Sequence, residues 1–196
     1  MTSIFNSPLK APTPGSWVPV VLQDFDSFLL DHAACERKAA ALAMSFVAKY
    51  PDRGALIEPM VCLAREELEH FHQVYRLMRR RGLSLTHHDE KDPYVNAILG
   101  ELRHGREERF LDRLIASALI EARGHERFTI LAQHHGDESL KIFYQRLADS
   151  EAGHFNIFVR VAQSYFSSGE IEEAIGRIAV IESRVMLATP HRAALH

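Results

Sequence analysis

Cysteine is nearly absent from this chain: 196 residues hold only Cys35 and Cys62. No Cys-x-x-Cys pair occurs, which argues against a rubredoxin-type cluster. Both thiols fall in apolar helical stretches, so the expectation is two buried free thiols in a reducing compartment rather than a disulfide. No apolar run approaches the ~20 residues that span a bilayer, so no membrane partner is expected. Met1 to Pro19 lacks a basic patch followed by an apolar stretch, which argues against a secretory signal and for a cytoplasmic location. A net charge of −3 gives no global pull toward nucleic acid, so any such role must come from a local patch. Strand-like alternation is missing throughout. What remains is ordinary for a globular protein, 46% hydrophobic and 25% charged, and the length fits one domain over 1–196.

The first twenty residues carry Pro8, Pro12, Pro14, Gly15 and Pro19 and read as an irregular arm, 1–20. From Asp24 the apolar period is helical, through Phe25, Leu29, His32, Glu36, Ala39, Ala43, Phe46 and Tyr50, and Pro51-Asp52-Arg53-Gly54 ends the segment. A second helix holds Leu56, Met60, Leu63, Glu67, His70, Val74 and Leu77 on one stripe and closes at Gly82. A polar connection from Ser84 to Asp92 leads to Pro93, well placed to open a short helix, and Gly100 and Gly105 break the chain before the next long one. The third long helix aligns Leu111, Leu114, Ala118, Glu121, His125, Phe128 and Ala132, and His134-His135-Gly136-Asp137 reads as its turn. The fourth carries Leu140, Tyr144, Leu147, Glu151, His154, Phe158, Val161 and Tyr165 as one continuous segment. An accessory helix over 168–189 has Ser168 as its expected N-cap and Pro190 beyond its end. The architecture is therefore all-α: a four-helix bundle with a long crossover between helices two and three, plus accessory helices.

One constellation appears twice. Glu36 precedes Glu67-Leu68-Glu69-His70, and Glu121 precedes Glu151-Ala152-Gly153-His154, at nearly equal separations. Each half offers a lone carboxylate and a Glu-x-x-His pair, the donor set of a carboxylate-bridged pair of iron or manganese ions. All six residues fall on apolar stripes. Buried carboxylates are costly and repel one another, and two cations neutralise them; the competing reading is a bundle with buried ion pairs to arginine. Helix register chooses among neighbours: at ~100° per residue Glu67 and His70 continue the Leu63–Val74 stripe while Glu66 and Glu69 flank it. Glu121 aligns with Leu114, Ala118 and Phe128, and Glu126 is rotated away. His32 and His125 each stand four residues from a lone Glu, placed either to hydrogen-bond a ligand carboxylate or to fill space beside it. His87, His88, His134 and His135 lie in predicted turns, and His191 and His196 carry no signal.

Oxygen-rich sites with one imidazole per metal suit iron or manganese better than zinc, and iron is the stronger expectation in an aerobic cytoplasm. A reduced iron pair can deliver two electrons to dioxygen. The ligand set alone does not choose between hydroxylation, desaturation and iron oxidation for storage.

Longer strings surround these ligands. They are Ala11-Pro12-Thr13-Pro14 with Trp17, Asp31-His32-Ala33-Ala34-Cys35-Glu36-Arg37-Lys38-Ala39-Ala40, Arg65-Glu66-Glu67-Leu68-Glu69-His70-Phe71, Ala118-Leu119-Ile120-Glu121-Ala122-Arg123, Glu126-Arg127-Phe128 and Ser150-Glu151-Ala152-Gly153-His154-Phe155. In them the chain resembles the tRNA 2-methylthio-N6-isopentenyladenosine hydroxylases of the ferritin-like superfamily, along most of its length. The resemblance implies a monooxygenase that hydroxylates the isopentenyl side chain of the hypermodified adenosine beside the anticodon, using dioxygen and electrons from an external reductase. By motif match it implies Glu36, Glu67, His70, Glu121, Glu151 and His154 as iron ligands, with no departure at any of the six.

A tRNA substrate demands phosphate contacts. Arginines cluster at Arg76, Arg79, Arg80 and Arg81, and again at Arg103, Arg106, Arg109 and Arg113. The bland alternative is a solvated face interleaved with Glu101, Glu107, Glu108 and Asp112. The adenosine would have to leave the loop stack to reach the metal. The alternative activity is a ferritin- or rubrerythrin-like iron oxidase or a peroxide-detoxifying protein, and a monomer or small homo-oligomer fits the hydroxylase better than a large shell.

Overall fold

The computed structural model describes residues 8–85 and 92–196, and among these every regular element is helical. His87 and His88 lie outside the described residues. The chain forms two compact units, one of residues 16–90 and 191–195, the other of 1–15, 91–190 and 196.

The first unit holds α1 (Trp17–Gln23), α2 (Phe25–Lys49) and α3 (Gly54–Arg80). The expected arm thus ends at Ser16 instead of residue 20: Pro19 is the third residue of α1, where a helix leaves its N–H groups without intrahelical partners and loses nothing to proline. Asp24 caps α2 by accepting from the Ser27 N–H at 3.2 Å. After the tight turn 50–53, α3 returns antiparallel along α2, the most extensive helix contact in this unit. Leu83 N–H bonds the Met78 carbonyl at 3.0 Å and Gly82 N–H the Arg79 carbonyl at 3.1 Å. That closure needs a left-handed residue, which Gly82 supplies at φ 76°. The chain end returns here: the buried Trp17 packs edge-on to Phe28, centroids 6.2 Å apart, and its indole N–H donates to the Ala194 carbonyl at 3.1 Å. Leu195 N–H donates to Asp31 at 2.7 Å, and Ser16 Oγ meets His191 at 3.2 Å. Neither thiol is in a disulfide and neither is buried; Cys35 is half-buried and Cys62 exposed, because both lie off the stripe that packs the α2–α3 pair.

The second unit holds α4 (Pro93–Gly100), α5 (Arg106–His134), α6 (Glu138–Glu151), α7 (His154–Gln163) and α8 (Ser168–Ala188). Pro93 opens α4 as expected, capped by Asp92, and Gly105 stands at the start of α5. Helix α5 is the centre: Phe110 to Leu119 are buried all round, and α4, α6, α7 and α8 pack on it. Asp137 caps α6 through the Ser139 and Leu140 N–H groups. Two expectations need correction. The fourth long helix is interrupted at Ala152-Gly153, where the i to i+4 bonding lapses and the chain entropy of glycine disfavours the helix. The last helix is capped by Ser167, one residue before Ser168, since only Ser167 stands three before Glu170 and completes a reciprocal capping box.

Candidate metal centre

Within the first unit, α2 and α3 turn Glu36, Glu67 and His70 into one buried group. Each offers a ligand atom within 4.8 Å of the others. His70 Nδ1 stands 3.5 Å from Glu67 Oε2 and 3.9 Å from Glu36 Oε2. These spacings exceed a good hydrogen bond. They match two donors on one cation, which at ~2.1 Å from the ion stand roughly 3–4 Å apart. His32, fully buried one turn before Glu36, meets Glu36 Oε1 through Nε2 at 2.6 Å. Of the two roles its spacing left open, this contact is the hydrogen bond to the carboxylate. Glu66 and Glu69, flanking the buried stripe of α3, are exposed.

The second unit repeats the arrangement with Glu121 from α5, Glu151 closing α6 and His154 opening α7. Their ligand atoms also lie within 4.8 Å of one another. His154 Nδ1 is 2.6 Å from Glu151 Oε2 and 3.8 Å from Glu121 Oε2. His125 differs from His32: its Nδ1 reaches the Ala148 carbonyl at 2.8 Å, because α6 packs against that face of α5 and offers the nearer partner. Glu126 turns away from this group, accepting from Thr13 Oγ1 at 2.6 Å and from Arg123 at 2.5 Å.

The donor chemistry of each group fits a cation: two carboxylates and one imidazole, brought together on helices. Carboxylates so gathered require neutralisation, and oxygen-rich donors with a single nitrogen are the set that iron and manganese accept. The structure thus supports a metal-binding carboxylate and histidine cluster in each unit.

The arginines divide sharply. Arg76, Arg79 and Arg80 are exposed. Arg81 is committed to Asp26 at 2.7 Å and lies over the Phe25 ring, 5.5 Å from its centroid. Arg103 is also committed: its guanidinium and backbone N–H hold Asp112, which Arg177 joins at 2.5 Å. Asp112 is fully buried and its carboxyl is low: burial would raise it, and the Arg103 and Arg177 contacts more than reverse that. Arg113 is buried, because this part of α5 is covered on all sides, and cannot meet a phosphate. Arg106 is exposed and Arg109 half-exposed.

Sequence reasoning missed a buried polar knot in the second unit. Arg123, fully buried, uses all five N–H donors: Nε and Nη2 on Glu182 at 2.8 and 3.0 Å, Nη1 on Thr13 Oγ1 and Glu126, and Nη2 on the Ala11 carbonyl at 2.9 Å. Tyr94 hydroxyl donates to Glu182 at 2.8 Å, and burial together with that carboxylate pushes the phenol well above its usual value. Burial drives Arg127 beside them down to about 10. The signal was present in the Ala11–Pro14, Arg123 and Glu126-Arg127 strings, but their partner Glu182 is 59 residues beyond Arg123. His196 was also missed; it stacks on Tyr94, centroids 5.3 Å apart, and pairs with Asp92 at 3.3 Å.

Comparison with known proteins bears on this geometry. The family model described as "tRNA-(MS[2]IO[6]A)-hydroxylase (MiaE)" matches residues 1–196. The chain belongs to this family. It is 36% identical to the tRNA 2-(methylsulfanyl)-N(6)-isopentenyladenosine(37) hydroxylase of Pseudomonas putida, covering 96% of this chain and 91% of that protein. The Salmonella typhimurium protein of the same name is 29% identical, over 96% of this chain and 87% of its own. A solved structure described as protein 43 with aldehyde deformylating oxygenase activity, from Synechococcus, has a TM-score of 0.88 at 37% identity, covering 96% of this chain and 94% of that one. The all-helical, ferritin-like class expected from the sequence holds. Among the described residues no helix is long and apolar enough to cross a membrane.

Proposed function

We propose that this chain is an O2-dependent monooxygenase that hydroxylates the isopentenyl side chain of 2-methylthio-N6-isopentenyladenosine beside the anticodon of tRNA. The observation that carries this reading is the whole-chain family match, on a protein that gathers a Glu, Glu, His group in each unit. Glu36, Glu67, His70, Glu121, Glu151 and His154 would hold two iron ions, which when bound supply the electrons that reduce dioxygen as one oxygen atom enters a C–H bond and the other leaves as water. An external reductase restores those electrons.

The chain's own residues set the conditions for that chemistry. His32 orients Glu36 through its 2.6 Å contact, and His125 fixes its ring on the Ala148 carbonyl. Burial of the donors keeps bulk water from them and strengthens each electrostatic contact. Arg76, Arg79, Arg80, Arg106 and Arg109, exposed or half-exposed, would meet phosphates, whereas Arg81, Arg103 and Arg113 are structural.

Nucleoside analysis of tRNA from a strain lacking this protein tests the substrate. Loss of the hydroxylated nucleoside with accumulation of its isopentenyl precursor is expected; unchanged hydroxylation, with no second such enzyme present, refutes it. The Synechococcus likeness favours a second reading, aldehyde deformylation. Turnover of an aldehyde by the iron-loaded protein, with no turnover of tRNA, would establish that one instead. Metal analysis separates iron from manganese.

A further inference from the structure

We propose that α3 carries a stacking platform for unpaired RNA bases, formed by Phe71 and Tyr75 and flanked by the phosphate-binding arginines Arg76, Arg79 and Arg80. This inference rests on the tRNA reading above and names the surface that would receive the loop.

Leu68, Phe71, Tyr75 and Arg79 follow one another at helical steps and share a face. The buried stripe of α3, with Leu63, Glu67, His70 and Val74, occupies a different face, so these rings are not needed to pack the α2–α3 pair. Phe71 and Tyr75 are half-exposed, stacked with centroids 6.1 Å apart and planes at 23°. Leu68 extends the apolar surface at 52% exposure. Two near-parallel rings open to solvent on a rigid helix are what a splayed base stacks upon.

Charge selects the partner. From Phe71 to Leu85 the sequence contains no acidic residue. Arg76, Arg79 and Arg80 are exposed, and among the described residues their side chains make no hydrogen bond or ion pair, in contrast to Arg81. From Phe71 to Arg79 the helix rises about 12 Å, the length of roughly three stacked nucleotides at about 3.4 Å each. An aromatic strip continued by unengaged arginines is complementary to a single-stranded loop. A duplex keeps its base faces stacked inside and would use only the arginines. Phe71 also directly follows His70, so a loop seated here lies on the helix that supplies two of the candidate ligands.

The test uses the full chain and a fluorescent RNA hairpin with an unpaired, adenosine-containing loop, read by anisotropy over a salt series. Phe71→Leu and Tyr75→Leu retain apolar volume and are expected to weaken loop binding roughly tenfold each, with the salt slope unchanged. Tyr75→Trp should restore it. Arg79→Gln with Arg80→Gln should lower the salt slope by about 1–2. A blunt RNA duplex should respond to the arginine changes only. Iron content and thermal melting of each variant verify that the fold persists. Leucine variants that bind the hairpin like the parent overturn the platform, as does binding to anionic phospholipid vesicles with the same dependence on both rings. If the parent hydroxylates tRNA while the leucine variants bind normally, only the platform falls. If the parent neither binds the hairpin nor hydroxylates tRNA, the functional reading falls with it.

Discussion

Replacing Arg123 with methionine tests whether charge, rather than packing, holds the second unit's core. The side chain is fully buried, and its guanidinium lies side-on to Glu182, which is fully buried as well. Methionine fills most of the volume, so the loss is electrostatic. Glu182 would keep the Tyr94 hydroxyl and the field of nearby Arg127 but lose two charge-assisted bonds; the Ala11 carbonyl would lose its Arg123 donor, and the Thr13 hydroxyl would keep only Arg127 as a donor, at 3.4 Å. Breaking a buried pair from one side costs about 3–5 kcal/mol, because the remaining charge is uncompensated. Against a total stability of about 5–15 kcal/mol, that places the variant near its threshold. Urea unfolding followed by circular dichroism reads the cost directly. Adding Glu182→Gln should then recover about 1–3 kcal/mol, since a neutral amide still accepts from Tyr94 and the uncompensated carboxylate is gone. A single-variant cost below about 1 kcal/mol, or a further loss on adding Glu182→Gln, would refute the reasoning.

Asp92 provides an acid-side test. Burial alone would raise its carboxyl, but the His196 hydrogen bond and charge, with the Val95 and Tyr94 N–H groups, hold it at about 2 against an ordinary 3.8. A depressed carboxyl contributes its stability above the unfolded value and loses it as pH falls, so about 2 kcal/mol should disappear between pH 4 and 2. Asp92→Asn keeps the helix cap and should flatten that limb in an acid titration of the urea midpoint. Glu121→Ala should abolish iron loading, measured by metal analysis of the purified protein, while Glu126→Ala should keep its iron and lose stability through Thr13 and Arg123. Equal iron loss from both would contradict the register argument. Ser167→Ala removes the capping box of α8 and should cost about 1 kcal/mol by urea unfolding.

Local signals carried most of the fold. Asp24, Asp92-Pro93 and Asp137 mark helix starts by capping chemistry that acts within three residues, and each stands where the sequence placed it. The Glu66/Glu67/Glu69 choice was legible for the same reason: helical register is local, and burial followed it. What escaped depends on contacts far apart in sequence. Asp112 stands only nine residues from Arg103, but nothing near either announces Arg177, 65 residues beyond Asp112, so an arginine read as surface charge became part of a structural ion pair. Nothing near His196 announces Tyr94. His125 shows the limit most clearly: its spacing from Glu121 equals that of His32 from Glu36, yet the packing of α6 gave it another partner.

The two Glu-x-x-His pairs carry the same lesson into the site. Glu67 and His70 lie inside the unbroken α3, whereas Glu151 ends α6 and His154 begins α7. The interruption is one of hydrogen bonding rather than of dihedral angle: Ala152 at φ −55°, ψ −21° and Gly153 at φ −91°, ψ −22° are both right-handed helical. Gly153 is exposed, and a Cβ added there would meet nothing within 4 Å. The glycine therefore weakens this junction through chain entropy alone, without enabling a shape that other residues cannot take. Gly153→Ala should raise stability by about 0.4–1 kcal/mol and leave His154, and with it iron content, unchanged. A lowered urea midpoint would show that the break is held by something other than the missing side chain. A raised midpoint with iron lost would show instead that His154 reaches its ligand position only when this junction is free to bend.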